Sequence, residues 1–333
     1  MQISNLLIIM FLVQFTSPRL FAEDKVNHEP PPEIAEDHRN KALDFIKLKQ
    51  SANGSWENDS VLCGLCIAAY LSQGETPKSK SYGKSLVRAI NYLVKVDLSK
   101  ESEGNRFLIL AIMAETYTMT GNYDLEAYLQ KNIHYLSRDI KAVDSEDDIL
   151  QLRAFKSVYS TGIDFEERET LIKQFWKKLE FIKYDKEDLS LFPLLSLSIQ
   201  SSYGQLPSQM EDILKRYFTE LENKVFFKEL SAKQKAVKYY AMNFSSFYCG
   251  GSEWKKWNAL RESYKCQAED GSIGIGGKSE QDLTSEEKLF QTAISTISEA
   301  TMRMWPRQYF RSRGNHNTPK KEGEAIEETI DIF

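Results

Sequence analysis

The sequence predicts an all-α protein, organised as an (α/α)6 toroid of six helical hairpins. Three observations lead to that fold class. Apolar residues recur with helical spacing from residue 36 to about 305, amphipathic segments alternate with segments that are apolar on nearly all sides, and the alternation repeats at a nearly constant interval. The segments pair as 36–49 with 61–73, 82–95 with 105–119, and 124–138 with 148–160. They continue as 166–182 with 188–202, 207–222 with 233–247, and 253–266 with 286–304. First members begin about 46, 42, 42, 41 and 46 residues apart, the period of a two-helix repeat.

The elements follow in chain order. Leu6 to Val13 is an uncharged apolar run too short to span a bilayer. Thr16, Ser17 and Pro18 follow it, and Leu20-Phe21-Ala22 offers a cleavage point before Glu23, so residues 1–22 read as a signal peptide. The expected location is therefore exported, periplasmic or extracellular, with no integral membrane span once the leader is removed. Residues 23–35 contain Pro30, Pro31 and Pro32 and read as a linker. Within 36–305, the first hairpin shows the contrast on which the architecture rests. Lys41 to Lys47 is amphipathic, whereas Val61 to Tyr70 is apolar all round, as is Phe107 to Ala114 in the second hairpin. A helix that is apolar all round has to be surrounded by protein. Alternating exposed and enclosed helices make two concentric layers, and six pairs close them into a barrel without polar capping repeats. Residues 306–333 run basic and then acidic and read as a charged tail without structure of its own.

Composition excludes some functions. The 333 residues are 41% hydrophobic and 27% charged with a net charge of -5, which provides no basic face for nucleic acid. Cys63, Cys66, Cys249 and Cys266 are too few for a disulfide scaffold. The Cys63-x-x-Cys66 pair lies inside an apolar helical run, where small buried hydrophobes are expected. The four histidines do not cluster with them, so no metal site and no cofactor are expected.

One motif occurs twice. Gln50-Ser51-Ala52-Asn53-Gly54-Ser55-Trp56 and Gln267-Ala268-Glu269-Asp270-Gly271-Ser272-Ile273 share Gln-x-x-[Asn/Asp]-Gly-Ser followed by a large apolar residue. Read physically, the Gln amide ties free groups at helix ends, Gly54 and Gly271 supply turn conformations, and Trp56 covers the joint. Gln50, Asn53, Gly54, Trp56, Gln267, Asp270 and Gly271 are thus structural staples, placed in the first and sixth hairpins.

On this motif the chain resembles the squalene cyclase and protein prenyltransferase repeat proteins, whose fold is an (α/α)6 toroid. Ala114 to Gly121, Lys238 to Ala241, Gly250 to Asn258 and Gln291 to Ile294 look like a divergent, secreted bacterial branch. Terpene cyclases of this fold that start by protonation carry Asp-x-Asp-Asp before an inner helix. The matching window here is Ser145-Glu146-Asp147-Asp148, so the resemblance implies Asp147 as general acid with Asp148 beside it, although Ser replaces the first Asp. Such an acid must stay protonated through burial or a like-charged neighbour. The alternative is a solvated helix N-terminus, since acids in a first turn are ordinary dipole chemistry. Glu57, Asp59, Glu101, Glu103, Asp144, Asp185, Glu187 and Asp188 fall in equivalent loops, and Gly271 to Gly277 forms a glycine-rich loop that would cover part of the mouth. The zinc of the prenyltransferases is not implied, because Gln291 stands before Thr292 where that family has its His ligand.

Two functions compete on this reading. One is an exported toroid without catalysis that binds an apolar ligand or a protein partner. The other is a cyclase- or lyase-type enzyme using a mouth carboxylate, Asp147; a polysaccharide lyase or hydrolase would need a carboxylate pair or basic groove that the sequence does not place.

Overall fold

The structure is a computed structural model that describes residues 36–137, 143, 145–165, 190–202, 210–276 and 283–311, with single positions 168, 171, 174, 175, 177, 179 and 182. The expected signal peptide and linker, most of the first member of the fourth hairpin, Asp144, Asp185, Glu187, Asp188, Gly277 and residues 312–333 lie outside the described residues.

Among the described residues the protein is mostly helical, as the sequence predicts. Eleven α-helices are present: α1 (Glu36–Leu48), α2 (Ser60–Ser72), α3 (Gly83–Leu93), α4 (Glu103–Thr120), α5 (Tyr123–Asn132), α6 (Glu146–Ser160), α7 (Leu191–Ser202), α8 (Met210–Glu222), α9 (Ala232–Cys249), α10 (Gly251–Leu260) and α11 (Ser285–Arg311). Two three-residue strands, β1 (Lys265–Gln267) and β2 (Ile273–Ile275), pair antiparallel with Cys266 opposite Gly274.

Local chemistry explains the helix boundaries. Asp59 caps α2 by accepting from the Leu62 N–H at 2.8 Å, and Ser102 caps α4. α6 and α9 open on capping boxes, Ser145 with Asp148 and Ser231 with Gln234. α4 ends at Gly121, whose positive φ of 62° closes the helix in the left-handed region. The last helix departs from expectation: α11 runs through Pro306 to Arg311, past the boundary where the tail was expected to begin. A proline forfeits its own N–H bond and crowds the carbonyl four residues back, a cost that kinks or weakens a helix without always ending it.

The apolar helices are enclosed. All thirteen residues of α2 are buried, as are Phe107 to Thr116 of α4, Asp148 to Val158 of α6 and Ala236 to Tyr248 of α9. Each such Leu, Ile or Phe contributes roughly 1.5–3 kcal/mol by leaving water. These helices pack on one another in series: α2 on α4, α4 on α6, α6 on α7, α7 on α9, α9 on α11, and α11 back on α2. The amphipathic helices lie outside this series. α3 packs on α2, α5 on α4 and α10 on α9, each on the enclosed helix that precedes it, whereas α8 packs on α9, which follows it; α1 packs on α11.

Candidate functional site

The two copies of the repeated motif are built alike. In the first, Gln50 Nε2 donates to the carbonyls of Gly54 and Ser85, both at 2.9 Å, while Gln50 Oε1 accepts from Ser85 Oγ and Arg88 Nη2, both at 2.7 Å. Asn53 Oδ1 accepts from the backbone and hydroxyl of Ser55. Trp56 is fully buried and its Nε1 donates to the Ile46 carbonyl at 2.6 Å. In the second copy Gln267 Nε2 donates to the carbonyls of His38 at 2.9 Å and Gly271 at 3.2 Å, and Asp270 Oδ1 accepts from both donors of Ser272.

The register of the two copies on their neighbouring helices is the same. Gln50 reaches the carbonyl of Ser85 on α3 and Gly54 lies against that of Arg88, three residues on; Gln267 reaches His38 on α1 and Gly271 lies against Lys41, again three residues on. Gly54 and Gly271 have φ of +94° and +89°, and a Cβ there would sit 2.3 Å from the Arg88 carbonyl oxygen and 2.2 Å from that of Lys41. Gly54→Ala and Gly271→Ala should therefore each lower stability by more than about 2 kcal/mol, the left-handed penalty alone, because the methyl also meets a fixed carbonyl. Urea unfolding of both variants checks this, and equal losses are expected from the equal geometry.

The expected catalytic window lies at the start of α6. Asp148 is buried and closes the capping box, its carboxylate accepting from the Ser145 backbone and hydroxyl. Asp147 is half-buried and faces α4: a Cβ added to Gly104 would stand 2.3 Å from Asp147 Oδ1, so any side chain there would have to displace that carboxylate. Within the window Glu146 is pushed up to about 8 by burial and then by the Asp147 charge beside it. Burial and a like-charged neighbour, the two conditions for a protonated acid, thus act on Glu146, one residue before the position matched to the cyclase acid. Other acids of the equivalent loops serve helix ends: Asp59 caps α2, and Glu101 accepts from Ser60 Oγ at 2.7 Å and Asn105 Nδ2 at 3.0 Å.

Part of the glycine-rich loop is β2, all three residues of which are buried against α9 and α11. Gln291 Oε1 accepts from the Ile275 N–H at 3.0 Å and its Nε2 donates to the Ala232 carbonyl at 2.8 Å, while Thr292 Oγ1 accepts from Ile273 N–H. Where the resembled family places a zinc ligand, this chain has an amide tying a strand to two helices. Among the described residues no three His, Cys, Asp or Glu side chains come together. Cys63 and Cys66 are buried free thiols, both raised well above the usual thiol range by burial.

A second polar cluster lies on the same two helices and was not read from the sequence. Glu115 Oε1 accepts from Arg153 Nη2 at 3.0 Å and from Ser157 Oγ at 2.8 Å, with all three side chains buried. Burial raises the Glu115 carboxyl to about 8 against the opposing pull of Arg153, Ser157 and Lys156. Lys156, also buried, is lowered to about 7 by burial and then by Arg153. Eleven residues separate Gly104 from Glu115, so the cluster lies roughly 16 Å along α4 from the position that meets Asp147. Arg153, Lys156 and Ser157 have the i, i+3 and i+4 spacing of a polar helix face, which in a single sequence reads as solvated; Glu115 is legible only as the residue that ends an apolar run.

The geometry assembles two staples, an acidic helix end and an internal ion cluster. Scans against protein-family models, curated proteins and solved structures find no match to this chain.

Proposed function

We propose that the chain is an exported (α/α)6 toroid of the squalene cyclase and prenyltransferase repeat kind, which acts as a binding module for an apolar ligand or a protein partner rather than as an enzyme. The toroid is supported by the shared register of the staples. α1 receives the second staple as α3 receives the first, and α1 rests on α11 as α3 rests on α2. On this reading the first hairpin follows the sixth as the second follows the first, as a closed ring requires.

The observation that carries the functional reading is the enclosure of the inner helices. In a toroid with a reaction chamber the inward faces line a space of a few hundred Å³ and retain accessible surface. Here α2 is buried along its whole length and α4, α6 and α9 over ten or more consecutive residues, which covers every side of each helix. That leaves the mouth loops and the outer surface for recognition.

The second reading, a cyclase- or lyase-type enzyme, is favoured by one observation: Glu146 is raised to about 8 next to Asp147. The test is incubation of the purified protein with a panel of linear isoprenoids, read for products and for a shift in Tm, in parallel with Asp147→Asn and Glu146→Gln. A binding module gives no new product in any sample. Product from the wild type that disappears in either variant would overturn the proposal in favour of the enzyme.

A further inference from the structure

The first staple contains Asn53-Gly54, and the second has Asp270-Gly271 at the same place. Asn followed by Gly is the pair most prone to intramolecular attack, because glycine leaves the following backbone nitrogen unshielded. Asn53 is exposed, yet its groups are all engaged. Oδ1 accepts from Ser55 N at 3.0 Å and Ser55 Oγ at 2.8 Å, and Nδ2 donates to Asn58 Oδ1 at 2.9 Å. The would-be nucleophile, the Gly54 N–H, donates to the Ser51 carbonyl at 3.0 Å. Attack requires these bonds to break together, and what keeps the turn shut is Gln50, bonded to Gly54, Ser85 and Arg88.

We infer that Asn53-Gly54 is a deamidation site gated by the first staple, and that its β-linked product releases the loop from α3. In the reaction the Gly54 nitrogen loses its proton and bonds to Asn53 Cγ, the Cγ–Nδ2 bond breaks, and Nδ2 leaves as ammonia. Water then opens the succinimide at one of its two carbonyls. Opening one way yields an ordinary aspartate in place of Asn53, which reproduces the chemistry of the second copy: Asp270 Oδ1 holds Ser272 N at 2.9 Å and Ser272 Oγ at 2.6 Å. That product keeps the turn and loses only the donor to Asn58. Opening the other way yields isoaspartate, which inserts a methylene into the main chain beside Gly54. There is no room for it, since even a Cβ on Gly54 would be 2.3 Å from the Arg88 carbonyl oxygen. Asp270 has no amide to lose and reaches the same succinimide only by expelling water, so the second staple cannot deamidate and forms isoaspartate more slowly than the first.

The experiment ages the full chain in mildly alkaline buffer, folded and in urea, and follows isoaspartate at residue 53 by peptide mapping. The folded wild type should react slowly and the urea-unfolded chain fast. Gln50→Ala, which removes the bonds that close the turn, should accelerate the folded reaction by about tenfold or more. If Gln50→Ala does not fold, Ser85→Ala serves in its place: it removes one bond to Gln50, together with the longer contact to the Tyr70 hydroxyl. Asp270→Asn installs the same pair in the second staple and should acquire the same slow reaction. Amide exchange in α3 should rise in isoaspartate-containing protein and stay unchanged in Asn53→Asp. Equal rates in folded and unfolded wild type, no reaction in the unfolded chain, or no acceleration on opening the staple would each overturn the inference.

Discussion

Above about pH 8, where Glu115 is ionised, Glu115→Ala should lower the unfolding free energy by about 3–5 kcal/mol, the cost of breaking a buried ion pair from one side. The variant removes the carboxylate that faces two buried bases, Arg153 at 3.0 Å and Lys156. A guanidinium cannot shed its proton to relieve the loss. Glu115→Gln keeps an acceptor for Arg153 and Ser157 and should cost much less, so the difference between the two variants in urea unfolding isolates charge from packing. Replacing both Glu115 and Arg153 by Leu and Met should cost less than the single Ala variant, because the desolvation of both charges is then avoided.

The same cluster sets a pH dependence. Glu115 is raised in the folded state from an ordinary 4.5 to about 8, so the fold prefers its neutral form. That contribution is complete below 4.5 and is lost as the pH rises through about 8. Lys156 is lowered from 10.5 to about 7, so the fold again prefers the neutral form. Its contribution is complete above 10.5 and is lost as the pH falls through about 7. These two groups together therefore predict a stability minimum near neutrality, with a falling acid limb from Glu115 and a rising alkaline limb from Lys156. A urea series across pH should show Glu115→Gln without the first limb and Lys156→Met without the second; limbs unchanged in both variants would refute the assignment.

Trp56→Ala has the second large expected effect, about 3–5 kcal/mol for emptying a fully buried Trp site. The ring is 0% exposed, packs against Tyr70 at 6.4 Å between centroids and donates to the Ile46 carbonyl. Trp56→Phe restores most of the apolar volume and strands that carbonyl, a loss of about 1–3 kcal/mol. Thermal unfolding of the two variants separates packing from the hydrogen bond. A loss in Trp56→Ala below that of Trp56→Phe would show that the ring does not hold α1 to the loop.

The helices were legible because they depend on local patterns. Val61 to Tyr70 and Phe107 to Ala114 announce enclosure by having no polar side. The staple residues were legible for the same reason: Gln, Asn or Asp, Gly and Ser act within a few residues of one another. Less of the α4–α6 site was legible. The window around Asp147 was found by its acids, but the raised Glu146 carboxyl depends first on burial, which only the folded surroundings supply. Arg153, Lys156 and Ser157 carry the spacing of an exposed face, and only the neighbouring helices reverse it.

The sequence by itself determined the helical class, the alternation of enclosed and amphipathic helices and the two staple turns, since each follows from spacing and from side chains near in sequence. Tertiary structure alone decided where the staples reach, that α1 rests on the last helix, and which polar side chains are shut away from water. Those outcomes depend on which helices become neighbours, and burial, electrostatic shift and close approach are properties of the neighbour as much as of the residue.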